Sequence, residues 1–450
     1  MGVPGSEFRV PSCVQPVTIE EAATAIREHA EVGRALRPRG GGTKLGWLAQ
    51  DSRSAASGGR EANGLAVGVI GAETGNLPSG TNSEPGTEGG RADRGRRRGR
   101  VAPGGEPTRN PELGAAADRG GAVELDTRGL NRVLEHNEGD FTAVLEAGVR
   151  LADAQAMFGR AGQMLALDPP LGEGDAATIG GVIAAADSGP LRHRYGSVRE
   201  LVLGVTVVLS DGTVAKSGGK VIKNVAGYDL AKLFAGSYGT LGVIARVAIR
   251  LHPLASATAT AQGASADPDR LAATALALAR LPLEADALDV SWSNGAGRVL
   301  VRFSGAAAAE RARAAAARMD VLEGIETITT DDELWARQRA LQRAPRDIVL
   351  KVSGRATDLA RVLRAAEAAG GTAVSRAALG LSWIALPAAS GVDAIRRALA
   401  PRACTVLDGA DRVTEPWPEI EPSTLTLMKR VKDRFDPAGA FHTGSFVGRI

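Results

Sequence analysis

The chain has little cysteine: Cys13 and Cys404 are the only two among 450 residues, and they lie far apart in sequence. An iron–sulfur cluster or a cysteine-only zinc site takes about four thiolates, so this chain alone can hold neither. Its length is sufficient for two or three domains that each bury a core, so disulfides are not needed for stability. Any iron–sulfur centre that works with this protein must therefore belong to a partner.

Long apolar runs are also missing. Although 44% of the residues are hydrophobic, no uninterrupted run approaches the roughly 18 residues that a membrane helix needs. The N-terminus, MGVPGSEFRVPSCVQPV, lacks the charged start and apolar stretch of a secretory signal. We therefore expect a cytoplasmic protein that associates with the inner membrane at most peripherally, through its partners.

Histidine is scarce and scattered. The five histidines are His29, His136, His193, His252 and His442. A lone histidine is more often a core or surface residue than a metal ligand, so we predict no bound metal. The net charge of +3 is small, with much of the positive charge between Arg91 and Arg100. The pI near 9.0 is therefore weak evidence for nucleic-acid binding, and we predict no such partner.

One long segment has an unusual composition. Between Asp51 and Gly121 there are 17 glycines, several prolines and no aromatic residue. Such a segment cannot bury enough apolar surface to offset the entropy of ordering it. We predict that residues 51–121 are a disordered insertion in a surface loop. The alternative is that its arginine cluster docks an anionic partner.

The rest of the chain shows regular periodicity. Apolar residues recur at helical spacing behind Thr18, which has Glu21 three residues later, and predict an N-terminal helix. Asp211-Gly212 lies between two apolar runs and predicts a hairpin. Other patterns predict strands near 123–125, 143–147 and 201–214 and helices over 151–161 and 178–186.

The region from 254 to 401 has a different rhythm, in which helices alternate with pairs of strands. This order predicts a separate, smaller α+β domain of ferredoxin-like type. Beyond it, Leu425, Met428, Val431 and Phe435 fall on one face of a helix that Asp436-Pro437 ends. We expect this C-terminal segment, 402–450, to pack back on the first domain, 11–253.

Three small-residue segments suggest ligand binding. PRGGGTK, from Pro38 to Lys44, offers backbone amides, a hydroxyl and a lysine, the donors that a diphosphate needs. ATIGGVIAAADSG, from Ala177, offers small residues at a helix N-terminus, where a flat ligand can approach the backbone. The third, from Gly218 to Val247, contains KNVAGYDL and GSYGTLGVI but neither a dinucleotide fingerprint nor a Walker loop. Taken singly, a flexible turn or close helix packing explains each of the first two as well.

Together and in this order, the three segments resemble the FAD-binding domain of the vanillyl-alcohol-oxidase superfamily, also called PCMH-type. RGGGTKLGW, LDTRGLNRVLEHNEGDFTAVLEAG, GGKVIKNVAGYDLAKLFAGSYGTLGVI and RFDPAGAF further resemble the FAD-binding E subunits of bacterial glycolate oxidases. The resemblance spans most of the chain outside 51–121 and is weak over 255–401. It implies an α+β fold with a two-subdomain FAD-binding region, a smaller cap domain and a returning C-terminal helix.

The resemblance also implies which residues bind FAD. The first two segments would wrap the diphosphate, and the third would lie along the cofactor with its backbone. The residues concerned are Pro38, Arg39, Gly40, Gly41, Gly42, Thr43, Lys44, Ala177, Thr178, Ile179, Gly180, Gly181, Ser188, Gly189, Gly242, Val243 and Ile244. Because the loop from Pro38 to Lys44 holds no histidine that could bond to the flavin, we predict non-covalent FAD.

The candidates for catalytic residues come from one basic loop. Arg192, His193, Arg194 and Tyr195 follow the second segment, in a loop that the resemblance places near the flavin. Two guanidiniums there could hold a substrate carboxylate. The alternative is a solvated basic loop. The H-x-G-D-G-N stretch of related catalytic subunits does not occur in this sequence.

The resemblance implies a function in three versions. In the first, the chain is a subunit of a complex that oxidises glycolate, with a sister FAD-containing catalytic subunit and an iron–sulfur subunit as partners. In the second, it is a stand-alone FAD-dependent dehydrogenase of D-lactate or another 2-hydroxy acid. In the third, it is a flavin-fold assembly subunit without catalysis.

Overall fold

A computed structural model describes residues 13–41, 122–220, 229–344, 346–441 and 446–450. The predicted insertion at 51–121 lies outside these residues, as do most of KNVAGYDL and the segment His442-Thr443-Gly444. Two large sheets, one small three-stranded sheet and one two-stranded sheet organise the described chain.

The small sheet is parallel, in the order β1-β3-β2. Its strands and the first helix are β1 (Cys13–Val14), α1 (Ile19–Glu31), β2 (Leu36–Arg39) and β3 (Val123–Asp126). α1 begins where predicted: the Thr18 hydroxyl accepts a hydrogen bond from the Glu21 amide, and the Glu21 carboxylate accepts one from the Val17 amide. Two unpaired N–H groups at the helix start are thereby satisfied.

A five-stranded antiparallel sheet follows, in the order β4-β5-β9-β7-β8. In chain order the elements are β4 (Val133–Asn137), β5 (Thr142–Glu146), α2 (Leu151–Arg160), β6 (Gln163–Met164), α3 (Ile179–Ala185), α4 (Arg192–Tyr195), α5 (Val198–Leu201), β7 (Val202–Val208), β8 (Val214–Gly218), α6 (Ala231–Phe234), β9 (Val243–Arg250) and β10 (His252–Pro253). The predicted hairpin joins β7 to β8, with Gly212 at φ +78° and the Asp211 carboxylate accepting from the Thr213 amide. Glycine allows this positive φ at no steric cost.

The two sheets share a core. Val208 and Ala245 of the five-stranded sheet pack against Ile26, Leu36 and Leu125 of the small sheet and α1. The opposite face of the five-stranded sheet is covered by α2, α3 and α6. These are the two subdomains implied by the resemblance.

The second domain is one eight-stranded antiparallel sheet in the order β14-β11-β13-β12-β16-β17-β15-β18. Its elements are β11 (Thr258–Ser265), α7 (Pro268–Ala279), β12 (Ala287–Ser293), β13 (Ala296–Ser304), α8 (Ala308–Ala316), β14 (Glu323–Ile328), α9 (Asp332–Ala340), β15 (Ile348–Ser353), α10 (Leu359–Ala368), β16 (Thr372–Arg376), β17 (Leu381–Leu386), α11 (Val392–Leu399) and β18 (Ala403–Val406). The order βαββαβ occurs twice, and β12 pairs with β16 where the two units meet. The expected ferredoxin-like architecture is thus present as two units side by side.

The sequence patterns missed several of these elements, among them β11, α7, β14 and β18. β11 consists of small and polar residues, TATAQGAS, and β14 is a largely exposed edge strand, so neither shows a clear apolar alternation. β18 pairs with β15, which extends the second sheet past residue 401, where the sequence predicted its domain to end. Only pairing with a distant strand defines this boundary.

The last helix, α12 (Pro422–Phe435), returns to the first domain as expected. Val431 and Phe435 pack on the core beneath the five-stranded sheet, with the rings of Phe435 and Phe234 5.6 Å apart. Leu425 and Met428 contact an aromatic cluster farther along. Among the described helices, none combines the length and apolarity that crossing a bilayer requires.

Candidate cofactor cleft

A cleft opens in the first domain. Three small-residue segments and the separate residue Thr127 line it, and small residues predominate. The lining residues are Pro38, Arg39, Gly40, Gly41, Thr127, Thr178, Gly180, Gly181, Val182, Ala184, Ala185, Tyr238, Gly239, Gly242, Val243 and Ile244. Ten of the sequence-predicted residues are therefore brought together.

The first wall continues from β2 through Arg39 to Gly41. A Cβ added at Gly41 would lie 1.4 Å from the Ala176 carbonyl oxygen, and one added at Gly40 would lie 2.2 Å from Thr178 Oγ1. Gly41 therefore requires glycine, because it lies against the backbone of the second loop, whereas Gly40 packs tightly against the Thr178 side chain. Sequence alone showed the glycines but not the loop against which they pack.

The second wall is α3, the start of which the resemblance implied would wrap the diphosphate. Thr178 caps the helix, and its hydroxyl accepts from the Gly181 amide. The amides of Ile179, Gly180 and Val182 donate to the carbonyls of Val149, Ala147 and Thr178, respectively. All four groups are used inside the protein, so α3 offers a ligand a flat small-residue surface rather than N–H donors.

That surface depends on close packing. A Cβ at Gly180 would lie 2.6 Å from the Ala147 Cβ, so glycine lets α3 sit directly on the strand end. Ala185 lines the cleft and also packs with Val374 and Trp383 of the second sheet. The second domain thus packs against one residue of the cleft wall.

The third wall runs from Tyr238 to Ile244, just before and into β9. Tyr238 and Gly239 have φ of +66° and +74°. For tyrosine this left-handed backbone is unfavourable, and packing holds it there. Its ring is 5.3 Å from that of Phe446 and 6.0 Å from that of Trp417. The C-terminal residues therefore fix this wall from behind.

Thr127 is a polar lining residue that the sequence analysis did not predict. Its hydroxyl donates to the Arg39 carbonyl at 2.9 Å, and the Arg39 guanidinium lies 2.8 Å from the Glu124 carboxylate. Both contacts come from β3 and the turn after it, and they hold the first wall. Thr127 lies in LDTRGL, a stretch that carried the resemblance, and this was the available signal.

Seven predicted binding residues do not line the cleft as described. Gly42, Thr43 and Lys44 lie outside the described residues. Ala177 and Ile179 are buried behind the second wall, where the Ala177 carbonyl accepts from the Leu151 amide. Ser188 and Gly189 lie past α3, with Gly189 packed on the Asp168 carbonyl.

The four catalytic candidates lie on α4 and also outside the cleft lining. α4 contacts β12 of the second domain. The Arg194 guanidinium donates to the Glu284 carbonyl at 2.9 Å and lies 3.3 Å from the Asp286 carboxylate. Burial lowers the pKa of His193, and the Tyr195 ring packs 4.7 Å from that of His252. Arg192 contacts Ser188. A substrate role for these residues stays a prediction.

A buried polar network joins the two domains beside α3. The Ser188 carbonyl accepts from Gln342 at 3.0 Å, and Gln342 accepts from Arg376. Arg376 is 1% exposed, contacts Asp289 at 2.5 Å and stacks on Trp383. Because its charge is already paired, Arg376 fixes the domain interface rather than offering a free cation.

A second charged contact lies at the same interface. Asp168 accepts from the Leu191 amide at 3.1 Å and is 4.0 Å from Arg339 of α9. Burial raises the pKa of Asp168 to about 7, and the charge of Arg339 opposes this only in part.

In the described residues, no group of three or more acidic, histidine or cysteine side chains is arranged to hold a metal.

Comparison with known proteins indicates the cofactor of the chain. Residues 103–218 match a protein family described as an FAD binding domain. This chain carries an FAD-binding domain. The predicted cofactor, FAD, is thereby confirmed. The matched range begins inside the predicted insertion and includes the second wall of the cleft, whereas the first and third walls lie outside it.

Curated relatives match the FAD-binding domain over a limited length. Glycolate oxidase subunit GlcE of Escherichia coli is 38% identical over 134 residues, 30% of this chain and 38% of the relative. Glycolate oxidase subunit GlcD of Bacillus subtilis is 37% identical, over 31% of this chain and 29% of its own length. A mitochondrial D-lactate dehydrogenase of Arabidopsis thaliana is 37% identical, over 30% and 23%. The matched segment thus spans less than two fifths of each relative.

The similarity in fold covers more of this chain than the similarity in sequence does. An alkyldihydroxyacetonephosphate synthase superimposes with a TM-score of 0.60, at 14% identity, over 95% of this chain and 75% of the other. At that identity the likeness concerns fold alone. The predicted α+β architecture of PCMH type is confirmed.

Proposed function

We propose that the chain is the FAD-binding subunit of a complex that oxidises glycolate to glyoxylate and passes the two electrons to an iron–sulfur partner. The observation that carries this proposal is the cleft, in which three small-residue segments meet and whose second wall lies in the matched FAD-binding range. The similarity to glycolate oxidase subunits supports the choice of a small 2-hydroxy acid.

The residues of the cleft fit FAD in different ways. The backbone from Arg39 to Gly41 would hold the diphosphate, and Thr127 keeps that loop in place. The face of α3 at Gly180 and Ala185 admits a flat ring close to the backbone. When bound, FAD supplies the two-electron acceptor that amino-acid side chains lack. Because no histidine occurs between Pro38 and Lys44, we propose non-covalent binding.

A stand-alone D-lactate dehydrogenase is the second candidate, since enzymes of that name are also similar to part of this chain. A third version, a subunit that holds FAD without oxidising substrate itself, is favoured by the lack of an H-x-G-D-G-N stretch in the sequence.

Visible spectroscopy of the purified chain separates these versions. We expect a yellow protein with oxidised-flavin absorbance. Bleaching by glycolate, without a partner and in the absence of oxygen, supports catalysis in this chain, and bleaching by D-lactate alone supports the second candidate. A yellow protein that bleaches only with its sister subunits present supports the third version. A folded chain that takes up no FAD refutes the proposal.

A further inference from the structure

Lys432 of α12 is a buried cation that is fully bonded. Its side chain is about 10% exposed. Nζ donates to the Thr240 carbonyl at 2.8 Å, the Phe441 carbonyl at 2.6 Å and the Asp436 carboxylate at 2.6 Å. A lysine ammonium has three N–H groups, and each has an acceptor here.

Asp436 completes the arrangement. Its carboxylate accepts from the amides of Ala440 at 2.8 Å and Phe441 at 2.9 Å, in addition to Lys432. The Ala440 carbonyl in turn accepts from the Leu36 amide at 2.7 Å, and Leu36 forms a bridge with Phe441. The ion pair therefore holds residues 440–441 against the start of β2.

One contact reaches the cleft directly and the other reaches it through β2. Thr240 lies between Gly239 and Gly242 of the third wall, whereas Phe441 pairs with Leu36, from which β2 continues to the first wall at Arg39–Gly41. The Lys432 ammonium thus bonds the third-wall segment itself and, through residues 440–441, is connected to the strand that leads into the first wall.

We propose that Lys432 and Asp436 are positioning residues that set the separation of the first and third walls and thereby the affinity for FAD, without touching it. This inference rests on the proposed use of the cleft by FAD.

The chemistry of the pair supports positioning over simple stabilisation. Removing two charges from water costs several kcal/mol for each ion, and apolar residues of equal size often stabilise a core as well or better. Burial lowers the pKa of Lys432, which shows that its charged form is held against a desolvation penalty. A buried pair with directional bonds to three segments fixes their geometry, which apolar packing does not.

The test compares two double variants, in each of which both members of a buried ion pair are replaced by uncharged residues. In Lys432→Met/Asp436→Asn the positioning pair is removed without leaving an unpaired charge. The control, Arg302→Met/Asp331→Asn, removes a buried pair of the second domain, whose N···O distance is 2.8 Å. For each, the FAD dissociation constant of the apo-protein is measured by flavin fluorescence at a temperature where circular dichroism shows a native fold.

We expect the first double variant to bind FAD about tenfold to a hundredfold more weakly, the loss typical of charged hydrogen bonds, and the control to bind within about twofold of wild type. Equal dissociation constants for the first variant and wild type would overturn the inference, as would equal weakening in both variants. If the double variant does not fold, Lys432→Arg tests the same geometry with the charge kept, and unchanged affinity overturns the inference. A wild-type chain that binds no FAD refutes the proposed function itself.

Discussion

Gly41→Ala tests directly whether the contact between the first and second walls creates the FAD site. The added Cβ would lie 1.4 Å from the Ala176 carbonyl oxygen, whereas ordinary contact begins at 3.4 Å. The difference, 3.4 − 1.4 = 2.0 Å, is the distance by which the loops must separate. Neither atom is the tip of a flexible side chain, so the backbone itself has to move.

The size of the effect follows from that displacement. A hydrogen bond of about 2.9 Å does not survive a shift of 2 Å. If two amides of the loop bond to the diphosphate, their loss costs about 3–6 kcal/mol, at about 1.5–3 kcal/mol for each bond to a charged group. We therefore expect the FAD dissociation constant to rise about 10²- to 10⁴-fold.

Titration of apo-protein with FAD, followed by flavin fluorescence, measures this constant, and circular dichroism checks the fold. Gly159→Ala is the matched control, because Gly159 lies in α2 and a Cβ there meets nothing within 4 Å. This control should bind FAD normally and be slightly more stable, since glycine in a helix costs roughly 0.5–1 kcal/mol relative to alanine. A folded Gly41→Ala protein with wild-type affinity would refute the assignment of this loop.

Three further predictions concern the domain interface and the cofactor. The pKa of Asp168, raised by burial to about 7, means that folding favours its protonated form, so its stabilising effect is complete below about pH 4 and lost as the pH rises through 7. Thermal unfolding between pH 5 and 8 should show this decline in wild type and a weaker one in Asp168→Asn; identical profiles would contradict it. Arg194→Ala should leave glycolate affinity unchanged, because the guanidinium is bound to Glu284 and Asp286, and a tenfold loss would instead support a carboxylate site. Acid precipitation should release all flavin into the supernatant, whereas flavin that stays with the polypeptide would disprove non-covalent binding.

Local features of the fold were predictable because their causes are local. Thr18 caps α1 through a bond to a residue three positions away, and Asp211-Gly212 forms a hairpin through its own backbone preferences. The apolar stripe that includes Val431 and Phe435 likewise predicted a helix with one buried face. Such signals act within a few residues, so one sequence suffices to read them.

Features that depend on distant partners were missed or misjudged. β18 is a strand only because it pairs with β15, so composition could not show that the second domain extends past residue 401. The resemblance implied that the start of α3 wraps the diphosphate, whereas the amides of Gly180 and Ile179 there donate to the carbonyls of Ala147 and Val149. The sequence could not show that Arg194 lies beside Asp286, because the two residues are far apart along the chain.

The sequence by itself determined that three small-residue segments are present and where many of the surrounding helices and strands begin. Tertiary structure decided which of those segments meet. It placed Gly41 against Ala176, brought Thr127 to the first wall and used Lys432 to join that wall to the third. The physical reason is that a cleft consists of contacts across large sequence separations, and the free energy of such contacts depends on distances that no local pattern encodes.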